Sequence, residues 1–388
     1  MEAKALNNRV IFIVYAVICW LPALSMTAQE LPARVRPADF PFARNTALGG
    51  GHVGLDGDFS SLFTNPAVLA GVNPQISISE FVIAAVDVEA LFRMATADNT
   101  LSELSSILVN RFYRFNTSLD VGGPIAFGMV GDNYGWGVFN VTRFDMTWER
   151  DQLYSVSRTL TEEFIFAGAY GLRLYDGPSA RFDMGLMVKL LVRLGYASPP
   201  IYIHQLNYII QDMVESPFET QLGAGADIGL RWTVFDSMSF AAVIYDPFSP
   251  VWVTQYSKAE KVASQEMTVQ GTVPITPRAS IGISWNMASP FWHRYFSGIT
   301  FSLDYLGLLD NFSETSRSPL LNLSVGLEVR MLEVFTLRAG IRDLLPSGGV
   351  GLNYSFMNVD VAVYGRELGS EPYEYAIWGV TLDFSFRR

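Results

Sequence analysis

Apolar and polar residues alternate along many segments of the chain. From Phe182 to Leu194 every second side chain is apolar, and the positions between them include Asp183, Lys189 and Arg193. The same period of two recurs from Leu321 to Met331. Because successive side chains of a strand point to opposite faces, this pattern predicts β-strands with one apolar and one polar face.

Matching this template along the chain predicts about fourteen strands. They lie near residues 75–84, 118–130, 134–148, 162–175, 181–194, 218–233, 238–248, 276–287, 298–306, 319–331, 334–342, 348–356, 358–365 and 373–386. Short connections such as 131–133 contrast with long ones such as 195–217 and 249–275, as in outer-membrane barrels. We therefore expect an all-β fold, a transmembrane antiparallel β-barrel. A large secreted β-sandwich or propeller is the alternative.

The composition favours contact with lipid. Only 17% of the 388 residues are charged, whereas 49% are hydrophobic and 13% are aromatic. The formal net charge of -11 and the lack of any run of Lys or Arg exclude nucleic acid as a partner, because phosphate binding needs clustered cations. After the N-terminus, no stretch is long and apolar enough for a membrane helix, so strands must meet the outer-membrane lipid.

The N-terminus has the pattern of a secretory signal peptide. Lys4 and Arg9 precede the apolar stretch from Val10 to Leu21, and small residues follow. We place the boundary at residue 28. The single cysteine, Cys19, lies inside this segment, where a lipoprotein anchor is the alternative, and disulfide chemistry is excluded from the rest of the chain.

A glycine-rich segment with a capped turn precedes the first strand. Asn65 suits a helix N-cap, Pro66 suits the first helical position and Gly71 suits the end. The glycine triplet at residues 49–51 allows close packing. We expect residues 29–73 to form a plug, or hatch, ahead of a barrel at residues 74–388. A surface turn with a glycine-rich linker is the alternative.

The segment from Ala43 to Gly71 resembles the N-terminal hatch of the FadL family, outer-membrane transporters of long-chain fatty acids and other hydrophobic compounds. The hatch motif comprises Gly49, Gly50, Gly51, Asp58, Asn65, Pro66 and Ala67, with Ala47, Leu69 and the alternative acid Asp56 beside it. The final strand, from Trp378 to Phe386, is similar to the signal read by the barrel-insertion machinery, although Arg387 and Arg388 follow its last aromatic residue.

This resemblance implies a bacterial outer-membrane channel for passive uptake of hydrophobic molecules such as long-chain fatty acids. The implied path runs from the external loops past the hatch and out to the periplasm or sideways into the bilayer. The family also includes PorV-type proteins that serve a protein-secretion machine. A role as a shuttle or partner of such a machine is therefore the alternative.

The longest predicted loop, residues 85–117, contains a helical pattern. Thr100 to Glu103 form a capping box, and an apolar stripe follows at Leu101, Leu104, Leu108 and Phe112. In the family, external helical loops shape a hydrophobic entry groove, so the resemblance implies ligand contacts for this stripe, while mutual packing of the helices is the alternative. Arg111 and Arg114 are candidates for binding a carboxylate head group, unless they are simply solvated.

The polar face of the predicted strands carries charges of both signs, which favours ion pairs with one another and with the hatch. They are Asp183, Lys189, Arg193, Asp227, Arg231, Asp304, Glu328, Arg330, Arg338, Arg342 and Asp383. His52, His204 and His293 are isolated, so no metal site is expected. No nucleotide-binding or nucleophile motif fits the chain, and we expect neither a cofactor nor an enzyme.

Overall fold

Fourteen antiparallel strands form a closed barrel in the computed structural model. The structure describes residues 35–50, 52–55, 58–87, 114–150, 154–202, 216–287, 296–312 and 317–387. The strands are β1 (Gln75–Val86), β2 (Arg114–Gly131), β3 (Tyr134–Arg150), β4 (Tyr154–Asp176), β5 (Ala180–Tyr202), β6 (Phe218–Val234), β7 (Met238–Tyr245), β8 (Pro250–Tyr256), β9 (Met267–Pro274), β10 (Arg278–Met287), β11 (Phe296–Tyr305), β12 (Leu323–Met331), β13 (Phe335–Arg342), β14 (Leu345–Tyr354), β15 (Met357–Glu367) and β16 (Ala376–Arg387).

The barrel runs from β1 to β7 and from β10 to β16, and the pairing of β1 with β16 closes it. This confirms the predicted fold class and strand number. Both ends of the barrel sequence, at Gln75 and Arg387, lie at the same edge as five of the seven connections of two or three residues, and the other two, at 151–153 and 343–344, lie at the opposite edge. We call this edge the short-turn end and the opposite edge the long-loop end.

The remaining two strands correct the prediction of a long loop at residues 249–275. β8 and β9 form a hairpin, and β8 pairs with the first residues of β6, beyond the point where β7 ends. The hairpin forms because alternate valines turn to one face, where Val251, Val253 and Val273 pack with Val35 and Ile275.

The limits of the loop predicted at residues 85–117 were also wrong. β1 continues to Val86 and β2 begins at Arg114, so the strands extend into both ends of that loop. The hydroxyl of Thr117 donates to the carbonyl of Val86 at 2.8 Å, which joins the two ends. The predicted helices within residues 88–113 and the predicted signal peptide lie outside the described residues.

The two faces of each strand differ as the alternation predicts. On β12, Leu327 is 38% exposed on the outer face, whereas the next side chain, Glu328, is buried on the inner face. On β5 the outward apolar side chains run from Met184 to Leu194. Eleven strand residues span about 36 Å, which at a tilt near 45° matches the apolar band of about 25 Å in outer-membrane barrels.

The barrel wall is much taller on one side than on the other. β4 and β5 have 23 residues each, whereas β7 and β13 have 8. All of these strands meet at the short-turn end through their turns, so the extra length projects at the long-loop end. The β8–β9 hairpin extends this tall side, because it pairs with β6.

Helices are few and short among the described residues. They are α1 (Ala43–Ala47), α2 (Lys261–Ser264) and the 3-10 helices Phe59–Phe63, Pro66–Gly71, Leu308–Phe312 and Pro319–Asn322. In the part of the chain that the structure describes, no helix is long and apolar enough to cross a membrane.

Candidate functional site

Residues 35–73, the hatch segment, pack against the inner face of the barrel wall. Glycines on three strands make room for this approach. A Cβ on Gly185 of β5 would overlap the backbone of Pro66, and one on Gly229 of β6 would overlap the Asn65 side chain. A Cβ on Gly340 of β13 would meet the backbone of Leu48. The lumen wall is therefore smooth where the hatch segment touches it.

The predicted hatch residues hold this segment together. The Oδ1 atom of Asn65 caps the helix that begins at Pro66 by accepting from Ala67 N at 3.0 Å. The Nδ2 group of Asn65 donates to the carbonyl of Val53 at 2.7 Å, so one buried side chain joins the two halves of the segment. Gly49 has a φ of +91° and accepts a hydrogen bond from the Ser324 hydroxyl at 2.9 Å.

Gly50 also has a positive φ, +79°, which favours glycine. Pro66 and Ala67 are buried against the wall. Gly51, the remaining glycine of the triplet, and Asp56, the alternative acid of the motif, lie outside the described residues.

Asp58 has two roles in the same segment. Its Oδ1 atom caps the 3-10 helix Phe59–Phe63 by accepting from Ser60 N at 2.8 Å. Its Oδ2 atom pairs with Arg44 at 3.2 Å and with Arg387 of β16 at 3.6 Å. Burial alone would raise the pKa of Asp58, but the two guanidinium groups outweigh this and hold the pKa at about 2.

An ion-pair network joins the hatch segment to strands β12 to β15. Arg44 donates to both carboxylate oxygens of Glu328, from Nε at 2.9 Å and from Nη2 at 3.2 Å. Arg338 bridges the same Glu328, at 2.9 Å, to Asp360. The half of the lumen formed by these strands is therefore polar.

Asp304 of β11 anchors the hatch segment through backbone amides. Its two carboxylate oxygens accept from His52 N at 3.0 Å and from Val53 N at 3.1 Å. The Nε2 atom of His52 lies 3.2 Å from the carbonyl of Asn45. Burial, followed by the charge of Arg44, lowers the pKa of His52 to about 3, so the ring is neutral at pH 7.

On the opposite side of the lumen, an aromatic group packs among buried ion pairs of the wall such as Arg143–Asp120 and Arg193–Glu163. The hatch residues Phe40, Phe42, Phe59 and Phe63 surround Phe139 of β3. The centroid of the Phe139 ring lies 5.2 Å from Phe40, 5.4 Å from Phe59 and 5.0 Å from Phe63. We call these five residues the aromatic cluster.

The barrel wall is interrupted beside the aromatic cluster. Between Gly122 and Ala126, β2 places three residues opposite the single residue Asn140 of β3. Gly123 has a φ of +86°, and Pro124 has no N–H group to donate to the ladder. The free N–H of residue 125 instead donates to the Asn140 side chain at 2.9 Å.

The interruption continues on the other side of β2. The ladder between β1 and β2 stops at Ser77 and resumes at Val82, in a part of the chain that the structure describes in full. Ile78 and Ile125 are exposed on the outer face, whereas Ala126 is buried in the apolar core. A weak point in the wall therefore separates the aromatic cluster from the outer surface.

The hatch segment lies between two cavities. The cavity toward the long-loop end has a volume of about 400 Å³ and is lined by Phe40, Phe42 and Phe63 together with charged residues of the wall. The cavity toward the short-turn end has a volume of about 680 Å³ and is mainly polar, with Arg44, Arg338 and Asp360 in its lining.

The predicted ligand residues Leu101, Leu104, Leu108, Phe112 and Arg111 lie outside the described residues. Arg114 is the first residue of β2 rather than part of a helical loop. Within the described ranges, no three His, Cys, Asp or Glu side chains are grouped so that they would hold a metal ion.

Two features of the site did not emerge from the sequence. The sequence did not indicate a role for the phenylalanines on either side of the glycine triplet, although four of them fall within residues 40–63. The strand predicted at residues 118–130 ran through Gly122-Gly123-Pro124, a run that is unusual inside a central strand and was the available signal for a break.

A closed fourteen-stranded barrel with this internal segment has the fold of the FadL-type channels of bacterial outer membranes, which confirms the resemblance at the level of the fold. The solved structure of the toluene transporter TbuX from Ralstonia pickettii matches with a TM-score of 0.50 at 12% identity, over 89% of this chain and 97% of that one.

Two further structures give similar matches. A FadL homologue from Pseudomonas aeruginosa has a TM-score of 0.47 at 13% identity, over 92% of this chain and 99% of that one. The toluene transporter TodX from Pseudomonas putida has a TM-score of 0.46 at 9% identity, over 91% and 99%. No family model and no curated protein sequence matches the chain.

Proposed function

We propose that the protein is an outer-membrane channel for the passive uptake of hydrophobic molecules. On this proposal, the long-loop end faces the exterior and the short-turn end faces the periplasm, as in other outer-membrane barrels. The proposal is supported by the fold, which is shared with a toluene transporter, and by the apolar core that the hatch segment forms with strands β1 to β5.

The observation that carries the proposal is the interruption of the wall beside the aromatic cluster. Phe40 lines the cavity at the long-loop end and also packs against Gly122, so closely that a Cβ there would lie 2.7 Å from the ring. The ring of Phe40 thus lies between an apolar molecule in this cavity and the interruption of β2. The proposed route leads from the cavity, past the aromatic cluster, sideways into the bilayer.

This route needs no energy source. Transfer of apolar surface out of water contributes about 0.8 kcal/mol per methylene group, which favours entry into the cavity and then into lipid. The polar half of the lumen opposes passage straight to the periplasm, because an apolar molecule would have to separate the ion pairs of Arg44, Glu328 and Arg338. No catalytic step is proposed.

The hatch segment is proposed to close the lumen to ions and water. Deleting residues 43–71 should leave a barrel that still inserts but has a larger ionic conductance in planar bilayers. Unchanged conductance would mean that the segment does not close the pore. Loss of a co-purified secretion component, with normal conductance, would favour the alternative role as a partner of a protein-secretion machine.

The route is tested by repairing the wall. Deleting Gly123 and Pro124 leaves Ile125 alone opposite Asn140, with Gly122 and Ala126 still facing inward, so the β2–β3 ladder becomes regular and the mismatch with β1 is a one-residue bulge at residues 78–81. Uptake of labelled toluene and of a long-chain fatty acid into proteoliposomes should fall to the level of protein-free vesicles.

Pro124→Ala is the matched control, because it keeps all three residues and therefore keeps the interruption. This variant should transport as the wild type does. Both variants should retain the altered gel mobility on heating that is typical of folded barrels. Full uptake by the two-residue deletion would refute the lateral route.

A further inference from the structure

We propose that Asn140 is the latch of the lateral exit. Its side chain holds the interrupted wall closed on the outer face, and an apolar molecule passes into the bilayer only after this side chain releases the backbone of Ile125. The inference rests on the proposed lateral route and identifies the residue that regulates it. The interruption is then a gate with a closed state rather than a permanent opening.

Asn140 lies on the outer face of β3, among side chains that face the lipid. Its neighbour Phe139 is buried in the aromatic cluster on the inner face, and successive side chains of a strand point to opposite faces. The outward residues Trp136 on the same strand and Phe166 on β4 are 42% and 44% exposed, whereas Asn140 is 7% exposed. The Asn140 amide is therefore withdrawn from the surface of a face that is otherwise exposed.

The Asn140 side chain supplies an acceptor that the ladder lacks at the interruption. Three residues of β2 lie opposite Asn140, so the backbone of β3 cannot pair with all of them. The N–H of Ile125 donates instead to Oδ1 of Asn140 at 2.9 Å. Lipid offers no substitute acceptor for a backbone N–H group. This hydrogen bond therefore favours a closed wall.

Glu162 of β4 fixes the orientation of the Asn140 amide. Its Oε1 atom accepts from Nδ2 of Asn140 at 2.9 Å, and its Oε2 atom accepts from the hydroxyl of Thr142, which lies directly opposite in the ladder. Because an ionised carboxylate accepts and does not donate, Asn140 must turn Nδ2 to Glu162 and Oδ1 to Ile125. Side chains on the outer face thereby join β2, β3 and β4.

The interrupted part of β2 can move while the ladders on either side stay paired. Residues 123–125 lie outside the paired part of the ladder with β3 and also outside the paired part of the ladder with β1. Gly123 packs against the backbone of Glu80 in the gap of β1, since a Cβ there would overlap the Glu80 carbonyl oxygen. Releasing Ile125 from Asn140 would therefore open the wall to lipid without displacing the hatch segment.

The latch is tested with Asn140→Leu, which keeps the approximate size of the side chain but cannot accept a hydrogen bond. Loss of one such bond should raise the initial rate of toluene uptake into proteoliposomes about three- to tenfold. Ionic conductance in planar bilayers should stay at the wild-type level, because the opening leads to lipid and the hatch segment still fills the lumen. A general loss of stability would instead raise both quantities.

Glu162→Leu keeps Asn140 and removes the group that orients it, so this variant should raise uptake by a smaller factor. It also tests the latch if Asn140→Leu does not fold. Asn286→Leu is the matched control, because Asn286 accepts a side-chain hydrogen bond from Thr300 on the neighbouring strand at 2.7 Å, away from β2. The control should leave uptake and conductance unchanged. All three variants should keep the change in gel mobility on heating.

The outcomes separate this inference from the proposed function. Unchanged or lower uptake in both Asn140→Leu and Glu162→Leu would overturn the latch, as would a rise in conductance together with uptake. Uptake by the wild type would then still support the lateral route. Absence of toluene uptake by the wild type would instead refute the proposed function, and the latch with it.

Discussion

Arg44 of the hatch segment and Glu328 of β12 form a two-point ion pair, with Nε and Nη2 each donating to one carboxylate oxygen. Both side chains are largely withdrawn from solvent, with Glu328 buried and Arg44 half-buried. The two residues are 284 positions apart in the chain. This pair is therefore a two-point polar link between the hatch segment and a distant strand of the wall.

The first prediction concerns this link. Glu328→Gln should destabilise the packed hatch by about 1.5 to 3 kcal/mol, because it removes the charged acceptor of two Arg44 hydrogen bonds while Asp58 remains paired with the arginine. Arg44→Met should have a smaller additional effect in the Glu328→Gln background than in the wild type. A double-mutant cycle measures this coupling, with hatch opening detected in each variant as the ionic conductance in planar bilayers. Additive effects would show that the pair does not link the two parts.

Asn65 is predicted to act through two separable bonds. Loss of an N-cap costs about 1 kcal/mol. Asn65→Ala should lower the stability of the packed hatch segment by more than this, because it also leaves the carbonyl of Val53 without its donor. Asn65→Asp keeps the cap acceptor but replaces the donor with a carboxylate oxygen that faces the Val53 carbonyl. Hydrogen exchange of the Ala67 amide should be faster in Asn65→Ala than in Asn65→Asp. Equal rates in the two variants would contradict the cap assignment.

The buried ring of His52 predicts that the hatch loosens at mildly acidic pH. A displaced segment would titrate near pH 6.5, whereas the packed segment holds the pKa at about 3. Below pH 6.5 the displaced form therefore binds a proton that the packed form does not. The packed form should lose about 2 kcal/mol by pH 5.

Conductance should accordingly rise between pH 7 and pH 5. His52→Asn is the control, since asparagine does not titrate and tolerates the positive φ of +99° at this position. Asp58, with its pKa at about 2, stays ionised over this range. A pH response that persists in His52→Asn would assign the effect to another group.

The facing of β12 gives a further prediction. Leu327→Arg should cost roughly 2 to 4 kcal/mol of barrel stability if the site is near the midplane of the bilayer. Leu309→Arg is matched in residue type and exposure, at 39% against 38%, but lies in the connection at the long-loop end. This control should change stability by less than about 0.5 kcal/mol. Unfolding in lipid vesicles compares the two, and equal losses would place Leu327 outside the bilayer.

Ser324 shows where reasoning from the sequence reaches its limit. Alternation places it on the inner face, and the structure agrees, because it is buried. An inner-face position would be expected to tolerate a large polar residue in a water-filled barrel, yet the Ser324 hydroxyl donates to Gly49 and leaves no space. The period of two fixes which face a residue occupies but not what lies against that face.

The strands and the aromatic cluster differ in the sequence distance between the residues that determine them. β5 and β12 follow from alternation within ten or so residues, so a single sequence predicts them. Phe40 contacts Phe139, and Arg143 donates a hydrogen bond to Asp39, so both contacts join residues about a hundred positions apart. No local pattern in the sequence encodes such contacts. The β8–β9 hairpin was missed because its burial depends on Val35, which is also far away in the chain.

Because the wall differs in height around the barrel, the barrel is asymmetric in the plane of the membrane. A strand of 23 residues reaches about 75 Å along its own axis and one of 8 residues about 26 Å, so the rim slopes from β4 and β5 down to β13. On the low side the lumen would open closer to the lipid surface than on the tall side. Molecules that first adsorb to the membrane would therefore approach the mouth across its low rim, and the orientation of each barrel would decide from which neighbouring patch of membrane it collects them.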